Sequence, residues 1–358
     1  MMMMRLRVYR YFSTSNIQKG VVLDAREGLS SRDVISQLRS ALINDGYFYV
    51  RDIPELSRDY IKMVYDFAQK AHELPVEIKK KYAAAGTYVG PDVDQLELSY
   101  DGKTQSVARA WEFSRHKFTL ASSEPSYPQE LNYEATLDEL YRRQDALGKE
   151  ISIAMAKALE LSDVHFFVDK TGGDSFSTIR LLRYPGYDES SWTAANSNSG
   201  DHSWTYYDDD DQTGIAPHTD FELFTVMHWD SPGLEILTRD TQSWIKPHTT
   251  FESDSSDNPV FLIICGDCLE RFTNGLVRAT PHRVLQTPHD RMSIIRFHAL
   301  DPSAIVEPLP QFGSPKYSPV TMEKHMRTTM RNIADGIPSW NTKDNTSVSA
   351  TFVYDSPY

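Results

Sequence analysis

The chain has 358 residues, a length that one large β-rich domain with helical additions can reach, so one structural domain is expected. Its 37 Lys and Arg residues against 50 Asp and Glu residues give a formal net charge of −13. This charge repels polyanions, which disfavours nucleic acid and anionic membranes as partners and favours a small molecule. The sequence also lacks the run of about eighteen apolar residues that a transmembrane helix needs.

The first twenty residues carry four basic side chains and no acidic one. This composition is typical of an organelle transit peptide, and a disordered start of a cytoplasmic protein is the alternative. Residues 1–20 are therefore set apart from the folded domain, and the cytoplasm is the expected location of a chain without a working transit signal.

Residues 21–130 have a mixed α/β pattern. The stretches "GVVLDA" and "YFYVRDI" predict short strands on either side of a helix in "SSRDVISQLRSALINDG", which begins at a Ser cap and ends at Gly46. A second helical repeat of apolar residues begins in "SRDYIKMVYDFAQKAHELP", where Pro75 interrupts it. We interpret these helices as scaffold.

Residues 131–335 begin with the longest amphipathic helix candidate, "EATLDELYRRQDALGKEISIAMAKALEL". Short β-rich runs separated by Pro, Gly and Asp turns follow after residue 175, among them "FSTIRLLRY", "FTVMHW", "VFLIICG" and "MSIIRFHA". The predicted fold class is mainly β with α additions, a double-stranded β-helix (jelly roll) core flanked by helices. Residues 336–358 form a polar tail.

The long polar stretch from residue 186 to residue 214 interrupts the β-rich part. It shows no apolar periodicity and is expected to be a surface loop, and a long loop that enters a site often forms its lid. The four acids Asp208 to Asp211 lack the spaced ligands and the Gly of a calcium loop, so we interpret them as solvated. Their charge would suit a cationic substrate.

The two cysteines, Cys265 and Cys268, cannot form a disulfide framework, and their number fits a reducing compartment. Their "CGDC" spacing is found in redox and zinc sites. A second cysteine pair and a thioredoxin-like βαβ pattern are both missing from the sequence, which disfavours these roles. Asp267 between them, and Asn274 in "TNG", are expected to shape turns rather than to do chemistry.

A His-x-Asp pair precedes the apolar run "FELFTVMHW". In an extended segment, side chains two residues apart share a face, so His218 and Asp220 can bind one metal ion. The third ligand candidate is His282 in "ATPHRV". We prefer it to His289, which also follows a Pro, because His282 precedes Arg-Val and stands nine residues before Arg291. Two His and one carboxylate leave three open positions, which suits iron(II) and oxygen chemistry rather than structural zinc.

The stretch "RMS" places Arg291 and Ser293 on one face of the next strand. An Arg fork with a neighbouring hydroxyl is what the distal carboxylate of an organic acid requires in a partly buried pocket. The combination of these two residues with the three metal-ligand candidates is more specific than any member alone.

The stretches "HTD", "GDCLERFTNG", "ATPHRV" and "RMS", in this order and spacing, resemble iron(II)- and 2-oxoglutarate-dependent dioxygenases of the isopenicillin N synthase-like group. The stretches "LRYP", "ALINDGYFYVRD", "LPVEIKKKY" and "AWEF" extend the resemblance over about residues 20 to 335. It implies that His218, Asp220 and His282 bind iron. It also implies that Arg291 and Ser293 hold the distal carboxylate of 2-oxoglutarate, with a further hydroxyl from Tyr184.

The resemblance implies an oxidoreductase that uses iron(II), O2 and 2-oxoglutarate to oxidise an unactivated C–H bond of a small metabolite. Hydroxylation, desaturation and ring closure are the reaction types, and succinate and CO2 are released. One alternative is an iron oxidase that needs no 2-oxoglutarate, of the isopenicillin N synthase or ethylene-forming type, in which Arg291 and Ser293 hold another carboxylate. The other is a non-enzymatic binding module, which is disfavoured because it has no need of all five residues.

The expected substrate walls come from three places: "TYVGPDVDQLELSYDGKTQSVARAWEF", the apolar residues Phe221, Leu223 and Phe224, and "DPSAIVEPLPQFGSPKYSPVT". Arg109 and Arg183 receive no role, since each is at least as well explained as a surface charge. The sequence shows no coiled-coil heptads, and a monomer is expected.

Overall fold

The computed structural model describes these residues: 20–29, 31–95, 97–115, 127–172, 175–186, 213–247, 258–341, 343 and 346–354. The transit-like start, the acids 208–211 and most of the predicted loop around them lie outside the described residues. Among the described helices, none combines the length and the apolar character that crossing a membrane requires.

The strands and helices follow the predicted order, with mixed elements first and a β-rich part after the long helix. The strands are β1 (Val22–Asp24), β2 (Tyr47–Arg51), β3 (Tyr88–Val89), β4 (Arg109–Ser114), β5 (Thr178–Tyr184), β6 (Thr213–His218), β7 (Phe224–Trp229), β8 (Leu234–Leu237), β9 (Trp244–Ile245), β10 (Val260–Cys265), β11 (His282–Leu285), β12 (Arg291–His298), β13 (Ile305–Val306), β14 (Val320–Thr321), β15 (Trp340–Asn341) and β16 (Thr346–Ser347). The α-helices are α1 (Arg32–Ser40), α2 (Arg58–His72), α3 (Val76–Ala83), α4 (Tyr133–Ala158), α5 (Asp267–Phe272) and α6 (Met322–Ala334).

Two sheets form the core. The larger one has the strand order β1-β2-β10-β7-β12-β5-β4-β3, and the smaller one has the order β6-β11-β8-β9. Apolar side chains of both sheets pack together in one cluster, so the sheets face each other. Two strands of the N-terminal part join the later strands in the larger sheet: β2 pairs with β10, and β4 pairs with β5. The predicted fold class, a mainly β jelly roll with added helices, is confirmed.

The helices pack on the outer face of the larger sheet. The 26-residue helix α4 buries the predicted apolar stripe, which includes Leu137, Leu140 and Leu147, in the main hydrophobic core. The backbone of its Gly148 can lie close to β12 because it has no side chain: a Cβ atom there would be 2.5 Å from the His298 ring. The larger sheet therefore has a helix-facing side and a side that faces the smaller sheet, and alternate residues of each strand belong to each side.

Local signals at the chain's N-terminal part act as predicted. Ser31 caps α1, whose last turn widens into a π-helical segment at Ala41–Asp45, and Gly46 ends it with a φ of 82°. Helix α2 ends at His72, and α3 begins after Pro75. The polar tail packs in part on the core: residues 349–351 form a 3-10 turn, Tyr354 is buried and Val353 is exposed.

Candidate active site

The three metal-ligand candidates meet at one end of the smaller sheet. Strand β6 ends at His218 and β11 begins at His282, and the two residues are direct partners in the antiparallel register. Asp220 Oδ1 lies 3.6 Å from His218 Nε2 and 3.7 Å from His282 Nε2. All three residues are buried, and one ligand atom from each lies within 4.8 Å of the others. The structure thus brings together the set chosen from the sequence, whereas His289 is exposed.

Backbone hydrogen bonds fix both imidazoles in the form that binds metals. Nδ1 of His218 lies 2.8 Å from the Ala216 carbonyl, and Nδ1 of His282 lies 3.1 Å from the Thr280 carbonyl. A carbonyl can only accept, so each Nδ1 carries the hydrogen and each Nε2 presents a lone pair towards Asp220. Burial lowers the pKa of His218, which also favours the neutral ring.

Two further side chains hold this cluster in place. Thr225 donates to Asp220 Oδ2 at 2.5 Å, which leaves Oδ1 facing the two histidines. The Tyr100 ring stacks on the His218 ring with a centroid distance of 3.8 Å and an angle of 4°. Tyr100 belongs to a stretch predicted as a substrate wall, but its place on a metal-ligand candidate was not foreseen. Three protein ligands on one side with open positions opposite are the arrangement of iron(II) oxygenases.

The three predicted carboxylate-binding residues lie together on two paired strands of the larger sheet. Arg291 is the register partner of Tyr184, and Ser293 follows on the same face of β12. All three are buried, and the Tyr184 hydroxyl lies close to Arg291 and Ser293. Among the described residues, Arg291 Nη1, Ser293 Oγ and the Tyr184 hydroxyl nevertheless make no well-formed hydrogen bond. Arg291 Nε donates to the Ser231 carbonyl at 3.1 Å, which orients the guanidinium. Burial raises the pKa of Tyr184, so its hydroxyl stays a donor.

The metal-ligand candidates and the predicted carboxylate-binding residues line one cavity between the two sheets. The rest of its wall is mostly apolar and is formed by Leu182, Ile215, Met227, Trp229, Leu234, Val284, Ile295 and Phe297. Two of the residues expected in this wall are elsewhere: Leu223 and Phe224 belong to the core on the helix-facing side of the larger sheet. Phe221 packs against Tyr100 instead, with a centroid distance of 5.6 Å.

Sequence reasoning missed the charged residue of this wall, Arg180. Its Nε donates to Glu112 at 2.6 Å and its Nη2 donates to Glu97 at 2.8 Å. The alternation of β5 would have found it, since Arg180 lies four positions before Tyr184 on the same face. The two arginines discussed from the sequence pair elsewhere: Arg183 with Asp290 at 2.5 Å, and Arg109 with Asp92 at 3.6 Å.

The cysteines lie outside this site. Cys265 ends β10 and Cys268 lies in α5, and both are buried. Burial raises the pKa of Cys265 to about 12, so the reactive thiolate is strongly disfavoured. Both residues therefore act as small core side chains.

A jelly roll that buries a His-Asp-His cluster beside an arginine pocket defines the class of iron(II)- and 2-oxoglutarate-dependent oxygenases. Residues 183–299 match the family model of the 2OG-Fe(II) oxygenase superfamily, and this range contains all six predicted site residues. The match assigns residues 183–299 to this superfamily, as the resemblance in the sequence implied.

Curated relatives cover most of the chain. Homoarginine-6-hydroxylase 2-ODD-C23.1 of Arabidopsis thaliana is 24% identical over 305 residues, which are 80% of this chain and 82% of the relative. Clavatol oxidase claD of Penicillium crustosum is 23% identical over 338 residues, 86% of this chain and 93% of the relative. The crystal structure of a full-length Neurospora crassa protein in complex with alpha-KG has a TM-score of 0.69 at 18% identity and covers 90% of this chain and 98% of that chain, so the fold is shared.

The predicted enzyme class is confirmed. The chain is an oxidoreductase that uses iron(II), O2 and 2-oxoglutarate, and the comparisons favour this reading over the oxidase that needs no 2-oxoglutarate. A small molecule as substrate fits the family, as the charge balance predicted.

Proposed function

We propose that His218, Asp220 and His282 hold iron(II), and that Arg291, Ser293 and Tyr184 hold the distal carboxylate of 2-oxoglutarate. One observation supports this assignment most directly. A buried set of metal-ligating atoms and three buried polar atoms without described partners line the same cavity.

The residues present fit both groups. Each buried donor left without an acceptor costs about 1–3 kcal/mol, so three of them in one place indicate a ligand that accepts several hydrogen bonds. A carboxylate accepts from a guanidinium fork and from hydroxyls at the same time. Two neutral imidazoles and one carboxylate oxygen are a donor set that iron(II) accepts while keeping positions open.

When bound, iron(II) with 2-oxoglutarate and O2 supplies the oxidising chemistry, and succinate and CO2 are the co-products. The protein's own contribution is orientation and exclusion of water. The Ala216 and Thr280 carbonyls keep each Nε2 free, and Thr225 keeps Asp220 Oδ1 turned towards the histidines. The apolar wall of Met227, Trp229 and Ile295 keeps the cavity dry, which strengthens polar contacts inside it.

Arg180 is the substrate-facing polar group that we propose. The two negative charges of Glu97 and Glu112 exceed the single positive charge of Arg180. An anionic group at this position would therefore be repelled, and a neutral acceptor or a cationic group is favoured.

The enzyme would act as a monomer on such a small molecule. Its location would be the cytoplasm, unless the first twenty residues direct it to an organelle.

The ligand assignment is tested by anaerobic titration with iron(II) followed by 2-oxoglutarate, with the visible charge-transfer absorption of their chelate as the readout. We expect the absorption in the wild type, its loss in His282→Ala and its weakening in Arg291→Gln. His289→Ala is the matched control, because it removes an exposed histidine that also follows a Pro. Iron binding without this absorption would favour the oxidase alternative, and an unchanged His282→Ala protein would refute the ligand set.

A further inference from the structure

The last described part of the chain packs behind the metal-ligand candidates. We call the described residues 339–341, 343 and 346–354 the C-terminal strap. Its Ser347 and Ser349 are buried, and both donate to the carboxylate of Asp267, the first residue of α5. The Ser347 bond to Asp267 Oδ1 measures 2.8 Å. Asp267 is therefore more than the turn-shaping residue expected from the sequence, because it holds the strap against the core.

The same serine reaches the residue between two metal-ligand candidates. Thr219 is fully buried, and its hydroxyl donates to Ser347 Oγ at 2.9 Å. The backbone N–H of Asp267 donates to the Asp220 carbonyl at 2.8 Å. Hydrogen bonds therefore run from Thr219 through Ser347 and Asp267 back to Asp220, and they close a ring around the His-x-Asp segment.

The strap also contacts Tyr100, which in turn packs on His218. The backbone N–H of Ser339 donates to the Tyr100 carbonyl at 2.9 Å, and the Tyr100 ring is the one that stacks on His218. Separate contacts anchor the strap at its far end: Arg271 donates to the Ala350 carbonyl at 2.6 Å, and the Tyr354 N–H donates to Ser318 Oγ at 2.9 Å. The strap is thus anchored at its far end by contacts that do not involve Ser347.

Burying a ring of polar side chains costs more free energy than filling the same space with apolar side chains. The members of this ring form hydrogen bonds to the segment that carries two metal-ligand candidates. Hydrogen bonds of this kind determine how metal ligands are oriented. The Thr219 hydroxyl is fixed by Ser347, and the Asp220 carbonyl is fixed by Asp267. The backbone torsions between the two ligand side chains are thereby constrained from both sides.

We propose that Ser347 and Asp267 are positioning residues: through Thr219 and the Asp220 carbonyl they hold His218 and Asp220 in the arrangement that binds iron(II). This inference rests on the proposed ligand set. It makes the C-terminal strap part of the metal site, although the strap contributes no ligand and lies more than a hundred residues after Asp220 in the chain.

The experiment is a double-mutant cycle on the full chain with Thr219→Val and Ser347→Ala. The two readouts are the iron(II) dissociation constant, titrated anaerobically, and the midpoint of thermal unfolding of the metal-free protein. We expect each single change to raise the dissociation constant about tenfold, the lower end of the effect of partners behind a metal ligand. The double variant should bind iron(II) no more weakly than Ser347→Ala alone, since Ser347→Ala already removes the Thr219 bond together with the Ser347 bonds to Asp267 and to the Ala350 N–H. Thr219→Ser, which keeps the hydroxyl, should bind iron(II) like the wild type.

Ser318→Ala is the matched control. It removes the acceptor of the Tyr354 N–H and so loosens the strap at its far end, and it should lower the unfolding midpoint without changing iron(II) affinity. The inference is overturned if Thr219→Val and Ser347→Ala lower only the unfolding midpoint, or if their effects on affinity add. A wild-type protein that fails to bind iron(II) would instead refute the proposed ligand set, and this inference with it.

Discussion

Two arginines face the same cavity from paired strands, yet their surroundings differ. Arg180 on β5 and Arg291 on β12 are four register positions apart, which corresponds to about 13 Å along the sheet. Arg180 already has Glu97 and Glu112 as partners. Arg291 has a backbone carbonyl at Nε and, among the described residues, no partner at Nη1.

The difference indicates which end of the cavity is prepared for an anion. A guanidinium whose charge is already balanced by protein carboxylates attracts a further carboxylate only weakly. A buried guanidinium with an unpartnered donor is costly until an anion arrives, and that cost is recovered as selectivity for a carboxylate. The Arg291 end therefore suits the distal carboxylate of 2-oxoglutarate, and the Arg180 end suits a substrate without an anionic group there.

The largest expected effect comes from Arg291→Gln. Loss of a buried charged partner costs about 2–5 kcal/mol in binding, and we expect the dissociation constant of 2-oxoglutarate to rise about 100-fold. Arg291→Lys keeps the charge but loses the planar fork, so it should recover only part of the affinity. The measurement is an anaerobic titration of the iron(II)-loaded protein with 2-oxoglutarate. Unchanged affinity in Arg291→Gln would remove the contrast between the two arginines.

Most of the metal-ligand and carboxylate-binding candidates could be predicted because their signals are local. Arg291 and Ser293 are two apart within β12, and a strand places such a pair on one face whatever the rest of the fold does. His218 and Asp220 are also two apart, although β6 ends at His218 and Asp220 follows the strand. That His282 pairs with His218 in the register depends on the whole sheet. His282 was preferred to His289 for its position before Arg-Val and nine residues before Arg291, a choice that does not by itself predict its pairing with His218.

The substrate wall was harder to predict, and the error at Leu223 and Phe224 shows why. The chain bends at residues 221–223, so β7 begins only at Phe224 and the alternation does not continue from His218 and Asp220. The cavity-facing residues of β7 are consequently Met227 and Trp229. The contacts of Tyr100 and Ser347 join segments far apart in the chain, and no local pattern reports them.

The next largest effect concerns the other arginine. Arg180→Met leaves Glu97 and Glu112 facing each other in a partly buried place, and breaking such a pair costs up to about 3–5 kcal/mol when it is fully buried. Because the two glutamate side chains are 35% and 28% exposed, we expect a loss of about 2 kcal/mol in the free energy of unfolding. Urea unfolding measures it.

Affinity for 2-oxoglutarate provides the second half of that test. It should stay within about twofold of the wild type in Arg180→Met, because the Arg291 end is intact. Adding Glu112→Gln to this variant should restore part of the lost stability, since it removes one of the two opposed charges. A large loss of 2-oxoglutarate affinity in Arg180→Met would mean that the two ends of the cavity do not act separately.

A smaller effect is expected from Ser293→Ala. A hydrogen bond from a hydroxyl contributes about 1 kcal/mol, which corresponds to roughly a fivefold weaker affinity for 2-oxoglutarate. Ser231→Ala is a suitable control because Arg291 Nε bonds to the Ser231 backbone carbonyl, which the substitution keeps. If Ser293→Ala matched the wild type, the Ser293 hydroxyl would not be a contact of the carboxylate, and Arg291 with Tyr184 would remain as its partners.

The smallest effect tests the charge balance at the Arg180 end through pH. Burial raises the pKa of Glu112 above its ordinary value of 4.5, and the charge of Arg180 opposes this shift. From pH 4.5 upward the unfolded chain loses the Glu112 proton before the folded one does, so folding stability falls with rising pH by at most about 1.4 kcal/mol per unit. Above the folded pKa the loss is complete.

Glu112→Gln lacks this titration, so in urea unfolding between pH 4.5 and pH 7 the wild type should lose stability relative to the variant as pH rises. The opposite sign would mean that the pairing with Arg180 outweighs burial. The Glu112 carboxylate would then be held more tightly in the folded state than in the unfolded one. In that case the excess negative charge at this end would persist at lower pH, and the preference for a neutral or cationic substrate group would be stronger than the present balance of burial and pairing indicates.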